Sequence, residues 1–150
     1  MKIGDKINEE IKQAMRSKDK IALEALRAAK TAFTLAKTKE GAKEELSDEE
    51  ELKIIQKLVK QRNESADIYK QQGRTDLYER EVAEAKVLIK YLPAKMEQDE
   101  LKDFLKNLIA RIGAEGQKDM GKVMGIATKE LAGKADGKDI ANLVRELLTD

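Results

Sequence analysis

The sequence predicts an all-α fold, and three observations carry the prediction. Ala, Glu, Lys and Leu dominate, all of them good helix formers, and Gln adds to them. Proline occurs once, at Pro93. Runs that alternate apolar and polar residues, the mark of a half-buried strand, are missing.

Each element follows from its own pattern. Ile3, Ile7, Ile11 and Met15 recur every fourth residue and give the first helix one apolar stripe, ending near Ser17 to Asp19. The second helix, Lys20 to Lys39, is expected to bury Ile21, Ala25, Leu26, Ala29, Ala32, Phe33 and Ala36, with Gly41 breaking it. Ser47 and Glu50 form a capping box at the head of the third helix, and Asp48 to Glu51 suit its positive end. That helix runs to about Gln72, where Gly73 stops it. A fourth runs from Thr75 to Leu92, where Pro93 removes an N–H and restricts the residue before it. Three shorter helices follow: one around Leu101 to Ile112, one capped by Asp119, one capped by Asp136. Gly113, Gly116, Gly133 and Gly137 punctuate them. The expected organisation is an N-terminal helical domain of about four helices, residues 1–93, and a three-helix tail, residues 94–150.

Composition excludes several chemistries. The chain has 150 residues, of which 39% are charged and 3% aromatic, with a net charge of +1. No global field draws it to nucleic acid, so any such contact needs a local patch. Cys, His and Trp are absent, which removes thiol catalysis, disulfides, imidazole acid–base work and the usual zinc sites. No catalytic residue, metal site, cofactor or small-molecule substrate is evident. No apolar run approaches the ~20 residues needed to span a bilayer, and MKIGDKINEE lacks the apolar core of a signal peptide. A cytoplasmic location without membrane contact is the expectation.

GQKDMGKVMG, Gly116 to Gly125, is one residue from the phosphate-cradling G-x-x-x-x-G-K-[ST] loop. That loop needs a preceding strand, and here an amphipathic helix ending at Gly113 precedes it. Val123 stands where the magnesium-holding hydroxyl belongs. The segment reads instead as a helix with two internal glycines, Gly121 and Gly125, each costing ~1 kcal/mol against alanine. One explanation is that they let a neighbouring helix approach closely. The other is a bare surface edged by Lys118, Lys122, Lys129, Lys134 and Lys138, open to a nucleic-acid backbone.

Charge also sits inside apolar stripes. Arg62 lies among Ile55, Leu58, Val59, Ala66 and Tyr69, while Glu81 and Glu84 lie among Leu77, Leu88 and Leu92. In a hairpin turning near Gly73, antiparallel pairing sets Arg62 across from Glu84, and Ser65 across from Glu81. A structural ion pair that fixes register is the simpler account; paired carboxylates doing acid–base work are the rival. Lys53, Lys57 and Lys60 line the opposite face, as a solvated face or a second phosphate-contacting stripe.

KQRNES (Lys60 to Ser65), GRTDLYEREVAE (Gly73 to Glu84), YLP (Tyr91 to Pro93), DMGKVMG (Asp119 to Gly125) and ADGK (Ala135 to Lys138) together resemble the GatB/YqeY family, in its stand-alone YqeY-like members. One departure is Gln98, where such proteins often place a Ser cap before the fifth helix. The resemblance implies a helical domain followed by a three-helix tail. The related tail in the B subunit of the tRNA-dependent amidotransferase helps hold tRNA, so tRNA is the partner implied here. It also implies the label of a carbon–nitrogen ligase with glutamine as amido donor. No Ser–Ser–Lys amidase site, glutaminase Cys or ammonia-delivering cradle is present to support that label. The leading expectation is a non-catalytic protein that binds tRNA or other RNA through its tail. The alternatives are a protein–protein adaptor and an amidotransferase component.

Overall fold

The computed structural model describes residues 1–39, 41 and 44–149. Among them the chain forms seven α-helices and one short 3-10 turn, with no strand. The helices are α1 (Ile3–Ser17), α2 (Lys20–Lys39), α3 (Asp48–Gln71), α4 (Thr75–Ile89), α5 (Gln98–Ile112), α6 (Met120–Glu130) and α7 (Gly137–Leu147). They gather into two compact units, Met1–Leu92 and Pro93–Asp150, each with its own apolar core.

In the first unit α3 and α4 form a long antiparallel hairpin, and α1 and α2 pack on it. The core is built from Ile7, Leu26, Ala29, Phe33, Ile55 and Leu88, with Leu46 from the segment before α3. Gly73, at φ 71°, makes the hairpin turn in a left-handed conformation that glycine adopts without steric cost. The Ser47–Glu50 capping box is formed in both directions, at 3.1 and 3.0 Å.

Three boundaries and faces differ from the sequence reading. Met15 is 55% exposed, and Ala14 takes its place in the core. A strict four-residue repeat drifts ~40° per step around a helix, so the fourth member has rotated off the buried face. Ile21 is 40% exposed at the edge of the α2 apolar arc, whose centre is Ala25, Leu26, Ala29 and Phe33. Helix α4 ends at Ile89 rather than Leu92. The amides of Tyr91 and Leu92 turn to the carbonyls of Leu88 and Ile89 at 3.1 Å, so the last turn tightens before Pro93 excludes α geometry at Leu92.

The first unit also holds a buried carboxylate that its sequence pattern did not announce. Glu51 is 5% exposed, and its Oε2 accepts from the Gly4 amide at 3.1 Å. That amide is one of the unpaired donors in the first turn of α1, so a side chain on α3 caps α1 from outside. Lys2 closes the same corner by donating to the Leu46 carbonyl and lying 3.8 Å from Asp48.

In the second unit α5, α6 and α7 surround Leu105, Leu108, Val123, Leu131, Ile140 and Val144. Gly113 ends α5 at φ 70°. Helix α5 starts at Gln98 behind Glu97, whose side chain makes no cap hydrogen bond. A 3-10 turn, Gln117–Asp119, leads into α6. The expected side-chain caps are not made there: Asp119 turns back, and its carboxylate accepts from the Glu115 amide at 2.7 Å. At the head of α7 the Asp136 side chain likewise makes no cap hydrogen bond, and its carboxylate lies 3.7 Å from Lys95. The stretch Gly116 to Gly125 is therefore a turn running into a helix, with α5 before it and no strand, and it lacks the convergent loop of a nucleotide site.

Candidate nucleic-acid interface

At ~100° per residue, Gly121, Lys122, Gly125, Thr128 and Lys129 fall within about 120° of the α6 circumference. The buried residues Val123 and Ala127 hold the opposite side. Lys118 stands at the entry to α6 in the 3-10 turn, and Lys134 and Lys138 flank the turn into α7. All five lysines and both glycines are exposed.

The structure overturns the close-approach account of the glycines. A Cβ built at Gly121 or at Gly125 meets no atom within 4 Å. Among the described residues of this unit no neighbouring helix uses the space, so neither glycine repays its ~1 kcal/mol helix cost through packing inside the unit. The outcome is a helix face with uncovered backbone. Thr128 donates its hydroxyl to the Met124 carbonyl at 2.8 Å, leaving its oxygen to accept from outside.

The charge balance there is more positive than a count of residues suggests. Between Lys118 and Lys138 the acids are Asp119, Glu130 and Asp136. Each is engaged: Asp119 with the Glu115 amide, Glu130 with Arg111 at 3.3 Å, and Asp136 with Lys95 at 3.7 Å. Lys118, Lys122, Lys129, Lys134 and Lys138 form no ion pair among the described residues. Asp139, beside Lys138, is the nearest further acid in the chain.

The rival lysine face is less free. Lys53 lies 3.0 Å from Glu49, while Lys57 and Lys60 are exposed along α3.

The internal charges of the hairpin form a chain of contacts. Arg62 Nη2 lies 3.5 Å from Glu84 Oε1, with side chains 16% and 10% exposed. Arg80 Nε lies 3.6 Å from the other Glu84 oxygen and also pairs with Glu24 on α2. Burial pushes the Glu84 carboxyl above its ordinary value, and Arg62 pulls it back. Glu81 is half-buried and lines a surface cavity with Arg62 and Ser65. Arg80 lies one turn before Glu84 on α4, a spacing the sequence carries, whereas Glu24 comes from a third helix whose packing no local spacing encodes.

Two features are absent among the described residues. No group of acidic side chains is arranged to hold a metal ion. No helix is long and apolar enough to cross a membrane.

Fold and surface thus define an all-helical protein with two compact units, the second carrying a basic helix face of bare backbone. The family described as Yqey-like protein matches residues 4–148, and the chain belongs to that family. It is also similar to "Altered inheritance of mitochondria protein 41, mitochondrial" of Pyrenophora tritici-repentis (strain Pt-1C-BFP). The two are 29% identical over 147 residues, covering 95% of this chain and 79% of the relative.

Proposed function

We propose that this protein is a non-catalytic accessory that binds tRNA or a similar RNA through the α6 face of its C-terminal unit. One observation carries the reading: Gly121 and Gly125 weaken α6 without packing against anything, on the face where exposed lysines have no acidic partner. Uncovered backbone lets a phosphate chain come close, and lysines hold phosphates as point charges. Recognition is through the backbone of the RNA, with little selectivity for sequence. Residues 94–150 act as the RNA-binding module and residues 1–93 as a separate helical domain. The cytoplasm is the proposed place of action. The fungal relative's name places that protein in the mitochondrion, and both compartments hold tRNA.

The test is a salt series of tRNA binding to the full chain, followed by fluorescence anisotropy. With four or five lysine–phosphate contacts, log affinity falls against log salt with a slope of about −3. A protein that binds no tRNA even at low salt lacks this function.

A further inference from the structure

Helix α3 carries a second seam beside its buried one. Ile54, Leu58, Gln61, Ser65 and Ile68 repeat at alternating four- and three-residue steps, the spacing of a helix made to lie along another helix. The buried stripe of Ile55, Val59 and Ala66 already faces the core. Of the second seam, Gln61 and Ile68 are exposed, while Ile54 and Leu58 are partly buried against the core and keep an outer edge. Two cavities open along it, of about 620 and 460 Å³, and Gln61 lines both. The first has Leu35 and Ala36 of α2 as its wall; the second has Glu81 of α4. Leu35 is 64% exposed and Ile68 53%, both large apolar side chains facing solvent. From Ile54 to Ile68 the seam is roughly 21 Å long, about four helical turns.

The two ends of this groove are oppositely charged. Lys39 and Lys57 line the first cavity; Glu64 and Glu81 line the second together with Arg62, whose guanidinium is already paired with Glu84, so the balance there is acidic. Lys39, Lys57 and Glu64 form no ion pair among the described residues. A groove that is basic at one end and acidic at the other is complementary to itself when turned end for end. A two-fold axis through Gln61 sets Ile54 of one copy against Ile68 of the other. It also sets Lys57 against the neighbourhood of Glu64 and Ser65. A partner of one charge sign would match one end and be repelled by the other.

We propose that this groove is a homodimer interface in which two copies of α3 run antiparallel about a two-fold axis near Gln61. The contact is isologous, so each complementary pair is made twice and the assembly closes at two chains. Leu35, Ile54, Leu58 and Ile68 supply the apolar centre, and the lysine and glutamate ends fix direction and register.

The absence of cysteine makes a direct test possible. In the full chain, Gln61→Cys places one thiol at the axis, where two copies meet. Mild oxidation is expected to convert most of it to a covalent dimer on a non-reducing gel. Asp67→Cys, exposed on another side of α3, is the control and forms no covalent dimer on the same gel. In sedimentation equilibrium, Lys57→Glu and Glu64→Lys each weaken association by about tenfold. The double variant, which exchanges the charges, regains the wild-type dimer constant. Helical circular dichroism of each variant checks that the fold is kept. Three results each overturn the proposal: a monomeric wild type at the highest soluble concentration, Gln61→Cys dimerising no more than Asp67→Cys, or a double variant as weak as the singles.

Discussion

Replacing Arg62 by Ala removes the more buried of the two guanidinium groups that face Glu84. Breaking a fully buried ion pair by deleting one partner costs about 3–5 kcal/mol, because the remaining charge is stranded. Two observations place this site below that range. The Arg62 and Glu84 side chains keep 16% and 10% exposure, and Arg80 still lies 3.6 Å from Glu84 when Arg62 is gone. The expected loss is therefore about 2 kcal/mol. Its pH dependence has a definite sign. Arg62 holds down a carboxyl that burial raises, so without Arg62 the Glu84 value rises further. The cost of the substitution is full where Glu84 is ionised and shrinks as pH falls and Glu84 takes up a proton. Urea unfolding followed by tyrosine fluorescence is the assay. Tyr69, Tyr78 and Tyr91 all lie in the unit Met1–Leu92 and there is no tryptophan, so the signal reports that unit alone. A loss under about 0.5 kcal/mol, the range of ordinary surface substitutions, or one that does not shrink as the pH is lowered through the titration of Glu84, would overturn this assignment.

Two further substitutions separate structural glycines from binding ones. Gly121→Ala and Gly125→Ala each gain about 1 kcal/mol of helix stability, since the added Cβ meets open space. They are also expected to weaken tRNA binding by covering the backbone. Thermal unfolding and anisotropy on the same samples check both halves, and a gain in stability with unchanged binding removes the functional role of the glycines. Gly4→Ala behaves oppositely: its Cβ would sit 3.0 Å from Glu51 Oε2 against a buried carboxylate. A loss of about 1–2 kcal/mol is expected, read by tyrosine fluorescence, and a neutral result would show that the Glu51 cap shifts freely.

The helices were legible because their signals are local. The capping box at Ser47, the turn glycine at Gly73 and the single proline at Pro93 each act within a few residues of where they sit. Faces were less legible where a local rule accumulates error, as in the four-residue drift that carries Met15 out of the core. Contacts between distant segments left no local signal. Glu51 reads as a helix-head acid, and only the approach of α1 turns it into a buried cap for Gly4. Asp119 reads as an N-cap, yet the turn before it offers the Glu115 amide instead. The glycines of α6 show the limit of the sequence most clearly. Their cost is visible in the sequence, but whether a neighbour fills the space beside them depends on three-dimensional packing.

Charge reversal separates RNA binding on the α6 face from binding on the rival lysine face of α3. Lys122, Lys129 and Lys134 are replaced by Glu in one variant, and Lys53, Lys57 and Lys60 in another. Affinity for tRNA is then measured by anisotropy at low salt, with helix content checked by circular dichroism. The first variant is expected to lose tRNA binding by at least about a hundredfold, with a flatter salt slope. The second is expected to stay within a few-fold of wild type, with unchanged helix content in both. Full binding by the first variant and loss in the second would contradict binding on α6, placing the RNA on α3 rather than on the C-terminal unit.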